Sequence, residues 1–178
     1  MIRAVSLALF SALLFVAAGC TVRPLYSDAP LTADGTTTSA ALSSVLIRPA
    51  KTRYAQEVRN QLIFLFNGGK PQTSTPTYEL ELGAVVSREV STISQTSSVN
   101  QPTSGAVTLS SNYVLFDAAK QTPIASGRRQ ITSQYDIPDQ EFAAYRAQRD
   151  AENRAARELA ELVRLAVVQD LLRHAGKQ

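Results

Sequence analysis

The sequence predicts an α+β fold, a single domain with a four-stranded mixed sheet covered by two helices in the order β-α-β-β-β-α. Three observations lead to this prediction. Short runs in which apolar and polar residues alternate indicate strands. Two segments repeat apolar residues at helical spacing. Most strands follow one another between the two helices, an order typical of layered α+β domains.

The first strand and the first helix follow each other closely. Residues 45–47 (VLI) form a β-branched run that Pro49 ends, which predicts a short strand. The next segment is predicted to be an amphipathic helix that stops at Gly68 and Gly69, because glycine commonly ends helices. Its apolar residues recur at intervals of four, four and three: Tyr54, Val58, Leu62 and Leu65.

Three further strands are predicted in the middle of the chain. Residues 78–87 show the clearest alternation, with one apolar face and one mostly polar face. Residues 107–115 alternate again, residues 117–121 form a turn, and residues 124–135 return as a more polar strand. Together these segments favour an antiparallel meander.

A long C-terminal helix is predicted from Asp139 to about His174, because this segment contains no glycine or proline. Its alanine-rich front half, residues 143–156, is a weaker apolar surface than residues 159–172. We therefore expect the back half to form core, while the front half could face a partner. The apolar stripe comprises Ala155, Leu159, Leu162, Val163, Ala166 and Leu171.

The N-terminal segment resembles a lipoprotein export signal. Arg3 precedes an apolar stretch over residues 4–18, which is too short to span a membrane, and small residues lead up to Cys20. We predict a signal peptide over residues 1–19, an acylated tether over residues 20–44 and an α+β domain over residues 45–178. The alternative is that Cys20 is an unpaired thiol after an ordinary signal.

Charge and composition exclude several functional classes. The chain has 18 basic and 15 acidic residues, and removal of the signal leaves 17 against 15, a net charge of +2 that is too small to indicate nucleic-acid binding. One cysteine and one histidine leave no ligand set for zinc. His174 lies near the chain end, which argues against a catalytic triad. We expect no cofactor, no metal and no enzymatic activity.

Two polar segments have competing interpretations. Glu79 and Glu81 share a strand face and could form an acid–base pair, but alternating polar residues on a strand normally face solvent. Residues 91–105 contain no charged side chain. This segment is either a mobile hairpin tip or a loop that faces a partner, since uncharged polar groups cost less to bury than ions.

With these elements placed, the chain resembles the LptE family of lipopolysaccharide-assembly lipoproteins. The resemblance rests on the order of several short motifs along the mature chain. They are Cys20 followed by residues 23–26 (RPLY), residues 58–62 (VRNQL) in the first helix, residues 135–139 (YDIPD), and residues 149–159 (RDAENRAAREL) in the last helix.

The resemblance implies a binding and assembly protein. A member of this family sits as a plug inside the LptD β-barrel and helps to move lipopolysaccharide to the outer leaflet of the outer membrane. The expected partners are therefore LptD, lipopolysaccharide and the outer membrane through the lipid anchor on its periplasmic side, and not nucleic acid. An auxiliary lipoprotein of a lipid-transport ABC system is the alternative, and a hydrolase is a third hypothesis for which no residue set can be named.

The resemblance also implies where lipopolysaccharide would bind. Arg149 resembles a basic family residue near the start of the last helix. Arg88, Arg128 and Arg129 could form a basic patch if their strands pair, although charges on edge strands also serve to prevent aggregation. The four arginines are candidate contacts because guanidinium groups bind phosphates in a bidentate manner.

Overall fold

A mixed sheet with helices on one face forms the centre of the molecule. The structure is a computed structural model that describes residues 35–83, 86–93 and 102–176. The predicted signal peptide, Cys20 and the first part of the predicted tether lie outside the described residues. The elements are α1 (Thr38–Ser43), β1 (Val45–Ile47), α2 (Arg53–Asn67), β2 (Tyr78–Leu82), β3 (Val86–Ile93), β4 (Pro102–Asp117), β5 (Pro123–Asp136) and α3 (Glu141–Ala175).

Strand β4 organises the sheet. β5 pairs with one edge of β4 in antiparallel fashion along most of its length. β2 and β3 share the opposite edge, β2 beside the C-terminal part of β4 and β3 beside its N-terminal part. β1 extends the sheet by pairing with β2 in parallel. The described sheet therefore has five strands in four positions across, because the strand predicted over residues 78–87 is divided between β2 and β3. The predicted α+β class, mixed sheet and element order are confirmed.

Helix α2 is defined by a cap at each end. The side chain of Thr52 accepts a hydrogen bond from the backbone N–H of Ala55 (3.3 Å), and Gly68 ends the helix with a left-handed φ of 60°. Val58 and Leu62, both from the predicted apolar stripe, are completely buried. The capping residues and the stripe together explain why this helix was predictable.

Helix α3 packs against α2, β4 and β5. Most of its predicted stripe is confirmed, since Leu159, Val163 and Ala166 are buried in the shared core, whereas Leu162 is only partly buried. The expected division between a free front half and a buried back half needs correction, because Ala151 and Ala155 are also fully buried. Small side chains let α3 approach its neighbours closely there, so alanine marks tight packing.

Two glycines on the inner face of the sheet make room for tyrosine rings. Gly127 on β5 pairs with Tyr113 on β4, and Gly105 on β4 pairs with Tyr135 on β5. A Cβ atom at Gly127 would lie 2.7 Å from the Tyr113 ring, and one at Gly105 would lie 2.5 Å from the Tyr135 ring. Each ring therefore occupies the space that a neighbouring side chain would need.

The structure differs from the sequence-based expectation at two segments. Helix α1 lies inside the segment predicted to be a tether, and its Leu42 belongs to the core. The uncharged segment 91–105 is strand at both ends, because β3 reaches Ile93 and β4 begins at Pro102. Residues 94–101, the centre of the expected hairpin tip, lie outside the described residues.

Candidate functional site

A buried carboxylate joins the two long helices. Glu152 on α3 is 5% exposed and accepts a hydrogen bond from the Arg53 guanidinium at the start of α2. The Tyr54 hydroxyl donates to Glu152 Oε1 (3.2 Å), and Arg149 Nη1 lies 3.6 Å from Oε2, the oxygen that Arg53 also binds. Arg53 also donates to Asn153 Oδ1 (3.3 Å). Charged partners and hydrogen bonds together compensate the burial of this carboxylate.

Next to Glu152, the first turns of α3 expose two aromatic rings, each in contact with the guanidinium group of an arginine. Phe142 and Tyr145 are 72% and 49% exposed. Arg146 lies 6.0 Å from the centre of the Phe142 ring, and Arg149 lies 5.1 Å from the centre of the Tyr145 ring. Arg149 Nε also donates to the Tyr145 hydroxyl (2.8 Å), which raises the pKa of Arg149. We call Phe142, Tyr145, Arg146 and Arg149 the aromatic–arginine face.

The other predicted arginines do not form one patch. Arg128 and Arg129 are neighbours on β5 and so lie on opposite faces of the sheet. Arg129 lies 5.9 Å from the centre of the Tyr113 ring on the inner side, whereas Arg128 is exposed. Arg88 is on β3, which β4 separates from β5, so the strands of these arginines do not pair directly. Arg149 lies on helix α3 and not on the sheet.

Arg48, which was not predicted from the sequence, forms ion pairs with the two glutamates of β2. Its guanidinium contacts Glu79 (2.7 Å) and Glu81 (2.5 Å) and lies 4.7 Å from the centre of the Phe116 ring. Hydrogen bonds from Arg48 hold the pKa of Glu79 below its ordinary value, and those same bonds raise the pKa of Arg48. The Glu79 carboxylate is therefore ionised and bound to Arg48, an arrangement that does not suit a general acid.

A second buried polar group lies under the C-terminal part of α3. The Tyr113 hydroxyl donates to Asp170 (2.8 Å), and Arg173 pairs with the same carboxylate (2.5 Å). Burial raises the pKa of Tyr113 to about 12, and the bond to Asp170 adds to the shift. His174 stands edge-on to the Tyr78 ring, with 6.4 Å between the ring centres. The geometry assigns these side chains to packing between α3 and the sheet.

The described residues contain neither a membrane-spanning helix nor a group of side chains that could bind a metal ion. None of the helices in this part of the chain is long and apolar enough to cross a bilayer. No three His, Cys, Asp or Glu side chains within it converge as ligands for an ion.

The family model for lipopolysaccharide assembly, LptE, matches residues 41–167. The chain belongs to the LptE family. The matched segment contains all the described strands, helix α2 and most of α3, so the shared region is most of the folded domain. The predicted family and the lipopolysaccharide-assembly class are thereby confirmed. A comparison with curated protein sequences finds no match.

Solved structures share the LptE-like fold of this chain. A candidate lipoprotein from Caulobacter crescentus CB15 is 26% identical, with a TM-score of 0.61 over 75% of this chain and 95% of that one. Lipoprotein B from Nitrosomonas europaea is 13% identical, with a TM-score of 0.54 over 84% and 90% of the two chains. A minor lipoprotein from Acinetobacter baumannii is also 13% identical, with a TM-score of 0.52 over 71% and 89%.

Arg149 was among the residues predicted from the sequence, whereas the aromatic residues around it were not. A signal was present, because Phe142, Tyr145 and Arg149 recur at intervals of three and four, which places them on one side of a helix. The ion pair of Arg53 with Glu152 carried no such signal. Its partners are 99 residues apart in sequence, and only the packing of α2 against α3 brings them together.

Proposed function

We propose that this LptE-family protein is an outer-membrane lipoprotein that assembles with and plugs the LptD β-barrel for lipopolysaccharide transport and insertion. The family match over most of the folded domain is the observation that carries this proposal. We further propose that residues 1–19 are removed as a signal peptide. Cys20 then carries the lipid that holds the domain on the periplasmic side of the outer membrane.

The helix-free face of the sheet supports a role as a plug. Its exposed residues on β4 and β5 are mainly uncharged and polar, and Thr108 and Thr132 bond across the two strands at 2.7 Å. Large outer-membrane barrels have polar interiors that are water-filled or plugged by other segments. A face that is mainly uncharged and able to hydrogen-bond suits such an environment, because uncharged polar groups cost less to bury than ions. The exposed uncharged positions are Asn112, Ser126, Gln130, Thr132 and Gln134, and the exposed charged positions are Arg128 and Asp136.

The candidate lipopolysaccharide contacts remain Arg149, Arg88, Arg128 and Arg129. Arg149 has the most favourable surroundings among those whose side chains are described, because its guanidinium is stacked on Tyr145 and partly exposed. A stacked guanidinium is already oriented and can bind phosphate with less loss of conformational freedom. This activity is binding and assembly, and it requires neither catalysis nor a cofactor.

Depletion of the protein tests the proposal. Surface lipopolysaccharide should fall, and LptD should accumulate in a misassembled form, because the barrel would lack its plug. Re-expression of the wild-type protein provides the control. Normal surface lipopolysaccharide together with normally assembled LptD after full depletion would overturn the proposal.

A further inference from the structure

The interface between the two long helices does not include the first turns of α3. The first residues of α2, Arg53 and Tyr54, contact Glu152. Phe142 and Tyr145 in the preceding turns are largely exposed, so α2 does not cover this side of residues 141–151, which are about three turns of α3. These turns present the aromatic–arginine face.

The uncovered face continues the stripe by which α3 binds α2. Phe142, Tyr145, Arg149 and Glu152 follow at intervals of three, four and three, which aligns them along one side of the helix. Glu152 is buried under α2, whereas Phe142 and Tyr145 are exposed. A polypeptide segment can therefore pack on the first turns of α3 in the same way that α2 packs on the later turns.

The arginines of this face indicate the charge of the segment that would bind there. Among the described residues, Arg146 has no carboxylate within ion-pair distance, and Glu152 is shared between Arg149 and Arg53. The face is therefore positive. One turn further along, the same kinds of side chain, arginine and tyrosine, already hold the carboxylate of Glu152. Arginine and aromatic residues are also enriched at the energetic centres of protein interfaces.

We propose that the aromatic–arginine face docks an acidic segment of the protein partner, with carboxylates on Arg146 and Arg149 and apolar contact on Phe142. This inference rests on the proposed partnership with the barrel. Arg149 is also a candidate lipid contact, whereas Arg146 and Phe142 belong to the docking face alone. They therefore provide the sharper test.

Site-specific photo-crosslinking in the full-length protein, co-expressed with LptD from the same bacterium, tests the inference. A photoreactive residue at Phe142 should crosslink to LptD, and mass spectrometry should map the adduct to a segment that contains Asp or Glu. The matched control is the same photoreactive residue at Phe64, which is 58% exposed but lies on α2. Arg146→Glu should lower the Phe142 yield about tenfold by charge repulsion, and Arg157→Glu, an exposed arginine on the same helix, should not.

Each other outcome contradicts the inference in a distinct way. An adduct with lipopolysaccharide alone, an equal yield at Phe64, or an unchanged yield with Arg146→Glu would overturn it. If LptD copurifies with the protein but forms no adduct at Phe142, only this inference fails. If LptD does not copurify at all, the proposed function fails as well.

Discussion

Glu152 is the residue on which the junction of α2 and α3 depends most. Its buried carboxylate is held by Arg53, Arg149 and Tyr54. Its loss would leave two cations and a hydroxyl without their shared acceptor. A buried partner left unsatisfied costs more than the net contribution of the bond itself.

We expect Glu152→Ala to lower the free energy of unfolding by about 1 to 3 kcal/mol. Urea denaturation of the domain followed by circular dichroism measures the change. Glu158→Ala is the matched control, because Glu158 is exposed on the same helix, and it should have little effect. Equal effects of the two substitutions would show that the junction does not depend on the carboxylate.

The raised pKa of Tyr113 predicts that the folded protein loses stability at alkaline pH. Its pKa is about 12 in the folded protein against an ordinary value of 10.0. Between these values the native state keeps a proton that the unfolded chain has lost, so stability falls as the pH rises from 10 to 12. Below pH 10 this group adds no pH dependence.

We therefore expect Tyr113→Phe to show a smaller loss of stability between pH 10 and 12 than the wild-type protein. Chemical denaturation at a series of pH values measures this difference. Tyr145→Phe, at an exposed tyrosine, should retain the wild-type slope. A slope for Tyr113→Phe as steep as that of the wild type would contradict the account.

At the scale of elements, the pairing of β4 with β5 depends on two glycines. Tyr113 cannot move away from a new side chain at Gly127, because its ring is buried and its hydroxyl is bound to Asp170. Tyr135 is similarly buried above Gly105. Adding a methyl group at either position forces the strands or the rings to shift.

We expect Gly105→Ala and Gly127→Ala each to destabilise the domain by about 1 to 3 kcal/mol, the usual cost of overpacking. Thermal or urea unfolding gives the comparison. Gly176→Ala is the control, because a Cβ atom there would lie 3.6 Å from its nearest neighbour. Full stability of both sheet variants would mean that the tyrosines do not fill the glycine sites.

The elements also show what the sequence could and could not predict. β1, α2 and α3 were predictable, because their β-branched run, caps and apolar periodicity are local signals. α1 was missed, because six residues are too few for a periodic pattern. The ends of β3 and β4 were missed, because uncharged polar residues give no alternation and pairing with neighbouring strands decides their extent.

The residues of the candidate site also fall into those that the sequence could predict and those that it could not. Arg149 was selected through a resemblance within one helix. Arg48 was missed as the partner of Glu79, because only the parallel pairing of β1 with β2 brings these residues together. Arg53 was missed as the partner of Glu152, because only the packing of α2 against α3 brings these residues together. Local sequence patterns predicted the elements, whereas contacts between distant segments had to come from the structure.

For the whole molecule, the lipid anchor is a prediction that rests on Cys20. Cys20→Ser should abolish incorporation of a labelled fatty acid and leave the protein unprocessed or released from the membrane, because serine cannot carry the thioether-linked lipid. Metabolic labelling followed by membrane fractionation measures both effects. Equal labelling of the variant and the wild-type protein would contradict an anchor at Cys20.

The central claim is that this LptE-family domain works as the partner of a barrel protein. Affinity isolation of the full-length protein from detergent-solubilised outer membranes, followed by mass spectrometry of what copurifies, tests it most directly. The account predicts stoichiometric recovery of LptD. Recovery of inner-membrane ABC-transporter components without LptD would contradict it and favour an auxiliary lipoprotein of a lipid-transport system.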